Sequence, residues 1–169
     1  GQNISNSMKR IRGIDKALEF YNLAQKIPFK ADGITPEMKN SYQRSLLEEG
    51  VKALEKTQER MPHAGGLVIA PNIEVAEYMS DLLEDLTNKK PILVHSKLAN
   101  AENRISTYRN STNDWIVSVN MISEGVDIRR LRVLVYLPYA QTELAFRQAM
   151  GRVVRSDGPD DDSRAYVVM

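Results

Sequence analysis

The chain changes texture near residue 63. Before it, apolar residues recur at helical spacing among charged ones, as in Ile11, Ile14, Ala17, Leu18 and Tyr21. Ile27-Pro28 breaks that pattern, and Lys30-Ala31-Asp32-Gly33 reads as a turn. Thr35-Pro36-Glu37-Met38 has the form of an N-cap followed by proline at the first helical position. The spacing then predicts a helix from there to about Glu59, ended by His63-Ala64-Gly65-Gly66.

After that point short, β-branched apolar runs take over: Leu67–Ala70, Ile92–Val94, Trp115–Val119, Val133–Leu137 and Ala165–Val168. They are continuous rather than alternating, which suits strands buried on both faces. Helical patterns lie between them at Glu74–Leu86, Ala101–Arg109 and Thr142–Val154. Strands alternating with such helices predict an α/β sandwich with a mainly parallel central sheet, preceded by a helical segment. Residues 1–62 are expected to be a connector or accessory segment, and 63–169 the main domain. Gly158-Pro159-Asp160-Asp161-Asp162 reads as an acidic surface loop.

Composition sets outer bounds. With 169 residues, 42% of them hydrophobic and 27% charged, the chain has the makeup of one soluble domain with a real core. A net charge of +1 neither demands nor excludes a nucleic-acid partner, because a local patch can bind phosphates. Without cysteine there is no disulfide and no thiolate metal site. His63 and His95 are isolated. No apolar run approaches the roughly 20 residues that span a bilayer. A cytoplasmic setting is the default expectation, and a start without Met suggests an excised piece of a longer protein.

Two clusters carry candidate chemistry. In the 142–155 pattern, Phe146, Ala149, Met150 and Val153 share one helical face, while Gln148, Arg152 and Arg155 share a nearly opposite one. Two planar guanidinium forks and an amide pointing together suit phosphate oxygens. Solvated arginines that favour the helix dipole are the plainer alternative. The second cluster, Ser123-Glu124-Gly125-Val126-Asp127, follows a strand. Ligands of open parallel sheets bind beyond strand carboxyl ends, where Asp127 can accept from a ribose hydroxyl or clamp an arginine. An ordinary turn with a surface carboxylate is the alternative there.

In that order, Ser118–Asp127 and Arg147–Arg155 resemble motifs V and VI of superfamily 2 helicases, and the 66–72 strand with its following helix resembles motif IV. The resemblance covers about residues 64–169. It is closest to the branch of type III restriction motors and DNA-dependent ATPases, where a Glu-Gly-x-Asp motif is usual. Gln148 and Glu124 depart from the DEAD-box form, where histidine and arginine stand. The resemblance implies the second of two RecA-like lobes. The first would supply the phosphate loop, the Mg²⁺ ligands and the activating carboxylate. This chain has no G-x-x-x-x-G-K-[ST] loop and no Asp-Glu-x-His or Asp-Glu-x-Asp box.

By that resemblance Arg152 and Arg155 reach the γ-phosphate across the cleft, with Arg155 the finger candidate. Gln148 orients the site or touches the nucleotide, and Gly125 and Asp127 lie near ribose and phosphates. Nucleic acid, DNA rather than RNA, would be touched by Pro71, Asn72, Ser96, Lys97, Asn120 and Met121, with Arg104 a weaker candidate. The implied partner is the first lobe of the same protein, ATP and Mg²⁺ are bound only in the full-length chain, and no membrane is involved. Restriction or repair is the implied setting. The alternative is a non-catalytic RecA-like module that binds nucleic acid or protein. From position alone, Trp115 reads as core, Asn72 as a possible helix cap, His63 as exposed and His95 as structural.

Overall fold

A computed structural model describes residues 26–95, 101–119, 128–137 and 166–168. The apolar runs are strands: β1 Gly65–Ala70, β2 Ile92–Val94, β3 Trp115–Val119, β4 Leu131–Tyr136 and β5 Tyr166–Val168. They form one five-stranded sheet in the order β2-β3-β1-β4-β5. All four pairings are parallel. β1 is central, with Val68 opposite Val117 on one side and Val135 on the other.

Side chains alternate between two buried faces. Val68, Ala70, Val117, Val133 and Val135 enter one cluster. Leu67, Ile69, Ile116, Leu134 and Tyr136 enter the other. A sheet covered on both sides leaves no position for a polar alternation, which is why the strands read as unbroken apolar runs.

Three helices make the outer layers among the described residues: α1 Tyr42–Gln58, α2 Ile73–Thr87 and α3 Ala101–Arg109. Leu46, Leu47 and Leu54 of α1 and Val75, Met79, Leu82 and Leu83 of α2 pack into the first cluster. Ile105 and Tyr108 of α3 pack into the second. The result is the three-layer α/β sandwich expected from the sequence. Helix α2 is capped at both ends: Asn72 accepts from the Val75 amide, and Asn88 closes the last turn in the left-handed region at φ 58°.

The helix before β1 departs from expectation at its start. It begins after Ser41, whose hydroxyl accepts from the Arg44 amide, not at Thr35. Thr35 is held in a hairpin. Its carbonyl accepts from Lys30, Gly33 donates to the Lys30 carbonyl with φ +71°, and Phe29 bridges Pro36. The Asp32 carboxylate accepts from the Ile34 and Thr35 amides and from the Thr35 hydroxyl. Asp32 thus engages the Thr35 hydroxyl, and the Glu37 amide that a Thr35 cap would use donates to the Pro28 carbonyl instead. The segment expected as a connector also contributes structure from residue 42 onward, because α1 shares its core with the strands. Strand β4 starts two residues earlier than expected, where Gly65 donates to the Arg130 carbonyl and the β1–β4 register shifts. The expected helix at 142–154 and the acidic loop lie outside the described residues.

The Asp32 turn carries a pH expectation. Hydrogen bonds from Thr35, then Ile34, hold the Asp32 carboxyl below its ordinary 3.8, against a small opposing effect of burial. A depressed carboxylate pKa stabilises the turn above the unfolded value, and that contribution is lost as pH falls through the folded one. Backbone amide shifts of Ile34 and Thr35, followed by NMR, should titrate together with a midpoint below 3.8.

Candidate nucleotide and nucleic-acid edge

Because every strand runs the same way, their carboxyl ends lie along one edge of the sheet. Strand β1 ends at Ala70 and leads into Pro71 and Asn72. Strand β2 ends at Val94, followed by buried His95, and the chain then enters Ser96 and Lys97. Strand β3 ends at Val119, immediately before Asn120 and Met121. At the end of β4, Leu137 donates to the Ile69 carbonyl at 2.9 Å and ties two of these exits together. The segments singled out for nucleic acid therefore leave from neighbouring strands at one edge.

Three candidate residues are among those described. Pro71 is buried, so it shapes its loop rather than offering its ring. Asn72 uses its side-chain oxygen as the α2 cap, accepting from Val75 at 2.9 Å. That cap fixes the loop on the helix and leaves the side-chain NH₂ as its donor toward the edge. Arg104 is exposed and donates to the Leu93 carbonyl at 3.2 Å, which anchors it along edge strand β2. Ser96, Lys97, Asn120, Met121, Gly125, Asp127, Gln148, Arg152 and Arg155 lie outside the described residues.

At the amino-terminal edge the sequence reading missed a fastener. Arg130 donates to the carbonyls of Tyr108, Asn113 and His63, and its guanidinium sits 4.0 Å from the Tyr108 ring centre. The Tyr108 hydroxyl donates in turn to the Asp114 carbonyl. Burial pushes the Tyr108 pKa up, against the opposing charge of Arg130. The knot joins α3, the turn before β3 and the start of β4. Arg132 is fully buried, donating to the carbonyls of Arg129 and Leu131. Arginine ordinarily reads as surface, so these roles left no apolar signal in the sequence. The expectations for His63, exposed, and Trp115, in the core, hold, and His95 is buried at the end of β2. Among the described residues no cluster of His, Cys, Asp or Glu is arranged to hold a metal. Among them, too, no helix is long and apolar enough to cross a membrane.

The comparisons with known proteins agree with this architecture. A family model described as the helicase conserved C-terminal domain matches residues 43–157. An uncharacterised protein of Mycobacterium leprae is 39% identical over 123 residues, covering 73% of this chain and 21% of that protein. An uncharacterised protein of Mycobacterium tuberculosis is 38% identical over 116 residues, covering 69% and 19%. The chain thus spans about a fifth of the curated relatives it matches.

Among solved structures, the C-terminal part of the Fun30 ATPase domain superposes with a TM-score of 0.61 at 10% identity, covering 78% of this chain and 41% of that one. Mss116p bound to single-stranded RNA and AMP-PNP gives 0.57 at 14% identity, covering 75% and 25%. The Sulfolobus solfataricus SWI2/SNF2 ATPase C-terminal domain gives 0.54 at 12% identity, covering 78% and 58%. These share the fold, and they span the DEAD-box and SWI2/SNF2 groups without singling out the type III branch. With the sheet, its helical layers and the matched residues all in agreement, the chain belongs to the helicase conserved C-terminal domain family.

Proposed function

We infer that this lobe works as half of an ATP-driven helicase or translocase, lending Arg152 and Arg155 to a nucleotide held by the first lobe. The observation that carries the reading is the family match across 43–157, which includes both arginines and four of the five strands, whose carboxyl ends lie along one edge. The donor set offered by this lobe is two guanidiniums, an amide and the Asp127 carboxylate. It fits phosphate and ribose oxygens, whereas Mg²⁺ wants octahedral oxygen ligands and would sit with the first lobe. ATP supplies the phosphoryl bond whose cleavage drives the cycle. Gly125 lets the backbone approach the nucleotide, Asp127 accepts from ribose or orients an arginine, and Gln148 holds the site in register.

Nucleic acid is proposed to run along the same edge, touched through its backbone by Asn72, Ser96, Lys97, Asn120 and Met121. Pro71 sets the first of these loops, and Arg104 steadies the β2 edge beside them. Such contacts position the strand without reading sequence. Glu124 and Gln148, in place of the DEAD-box residues, favour DNA over RNA and a role in restriction or repair. The test is ATP hydrolysis by the full-length protein with single-stranded DNA, duplex DNA and RNA compared. Stimulation by DNA supports the reading, and an ATPase indifferent to every nucleic acid defeats it. In the same protein, Lys97→Ala should shallow the slope of log affinity against log salt by about one unit, the loss of one phosphate contact. An unchanged slope removes Lys97 from the contact set.

A further inference from the structure

Among the described residues, the large apolar side chains left exposed are Phe29, at 53%, and Ile34, at 81%. Both sit on the hairpin that precedes α1. Scattered single apolar residues on a surface need no explanation, but these two share one short element that is held rigidly. The hairpin is over-determined. Lys30 donates to the Thr35 carbonyl, Glu37 donates to the Pro28 carbonyl, and Asp32 holds three donors of Ile34 and Thr35. Its base is clamped to both helices of one layer. Gln43 of α1 donates to the Lys26 carbonyl at 2.8 Å, and the Tyr78 hydroxyl of α2 donates to the Glu37 carbonyl. A projection held this firmly presents its side chains with little ordering left to do on contact.

The hairpin lies outside residues 43–157, so it is not part of the machinery that the matched family shares. About four-fifths of the length of the curated relatives lies outside the matched part. We propose that the 29–36 hairpin is a docking finger that seats Phe29 and Ile34 in an apolar socket on the rest of the same polypeptide, the partner lobe. This rests on the two-lobe reading above. It adds a contact remote from the nucleotide that joins this lobe to its partner.

The test uses the full-length protein carrying Ile34→Cys or, as a control on the exposed side of α1, Lys52→Cys. Maleimide labelling of each site is followed by peptide mass spectrometry and normalised to its rate in denaturant. Seating one large apolar side chain predicts labelling at position 34 roughly tenfold or more slower than at position 52. Adding Phe29→Ser should bring the position 34 rate back toward that of position 52. Equal rates in the parent protein overturn the proposal, as does protection that Phe29→Ser leaves intact. Protection that fades on dilution also overturns it, because the socket would then belong to a second copy. ATP hydrolysis measured on the same samples separates the two readings. Activity without protection removes the docking finger alone, and protection without activity removes the motor reading alone.

Discussion

The full-length protein carrying Arg155→Ala should lose ATP hydrolysis by on the order of 10³-fold or more, the range in which arginine fingers act in phosphoryl transfer. As the terminal phosphoryl group breaks away, negative charge spreads over its oxygens. A positioned guanidinium meets that charge without reorganising. The loss should fall mainly on kcat, since the contact strengthens in the transition state rather than in the bound substrate. Arg155→Lys should recover little, because an ammonium cannot reproduce the planar fork. Nucleic-acid binding without nucleotide should stay within a few-fold of the parent, and thermal unfolding should be unchanged. Turnover within a few-fold of the parent would remove Arg155 as the finger and move attention to Arg152.

Trp115→Ala should destabilise the lobe by about 3–5 kcal/mol, the usual range for deleting a large buried aromatic. Trp115 is 3% exposed and belongs to the cluster that joins α1, α2 and the sheet. It is packed against two glycines. A Cβ on Gly66 would lie 2.3 Å from its ring, and one on Gly50 would lie 3.3 Å from it. The ring fills space that any larger residue at those positions would contest. Against total stabilities of about 5–15 kcal/mol, the loss should move the urea midpoint far. Gly66→Ala should also destabilise, by about 1–3 kcal/mol, through overpacking. In the Trp115→Ala background the same Gly66→Ala change should cost less, since the ring it collides with is gone. Additive effects of the two substitutions would show that the ring and the glycine do not share this space.

The sheet was legible because burial on both faces writes an unbroken apolar run for each strand, from Leu67–Ala70 to Val133–Leu137. The α2 boundaries were legible because Asn72 caps its start, and the sequence already offered it in that role. The start of α1 was not. Thr35-Pro36 imitates a cap, and the competing interaction is a set of side-chain bonds from Asp32, three positions away, that local propensity does not weigh. Arg130 and Arg132 escaped for a different reason. The half-buried Arg130 and the buried Arg132 are held by carbonyls of Tyr108, Asn113, His63 and Arg129, distant or nearby in the chain, and a basic residue gives no periodic sign of it. The candidate site was read from helical spacing and motif order. Of its residues the structure describes Pro71, Asn72 and Arg104; the Asn72 cap was readable in the sequence, whereas the Arg104 bond to the Leu93 carbonyl was not.

The parallel run of the strands has a mechanical side. A tug on loops at the carboxyl edge acts along the strand axes, toward an opposite edge where Arg130 laces α3, β3 and β4 together. Load in that direction shears the ladders on either side of β1, so many hydrogen bonds bear it at once instead of parting one by one as in a zipper. In the motor proposed above, the same sheet that sets out the loops would be oriented to withstand the recoil.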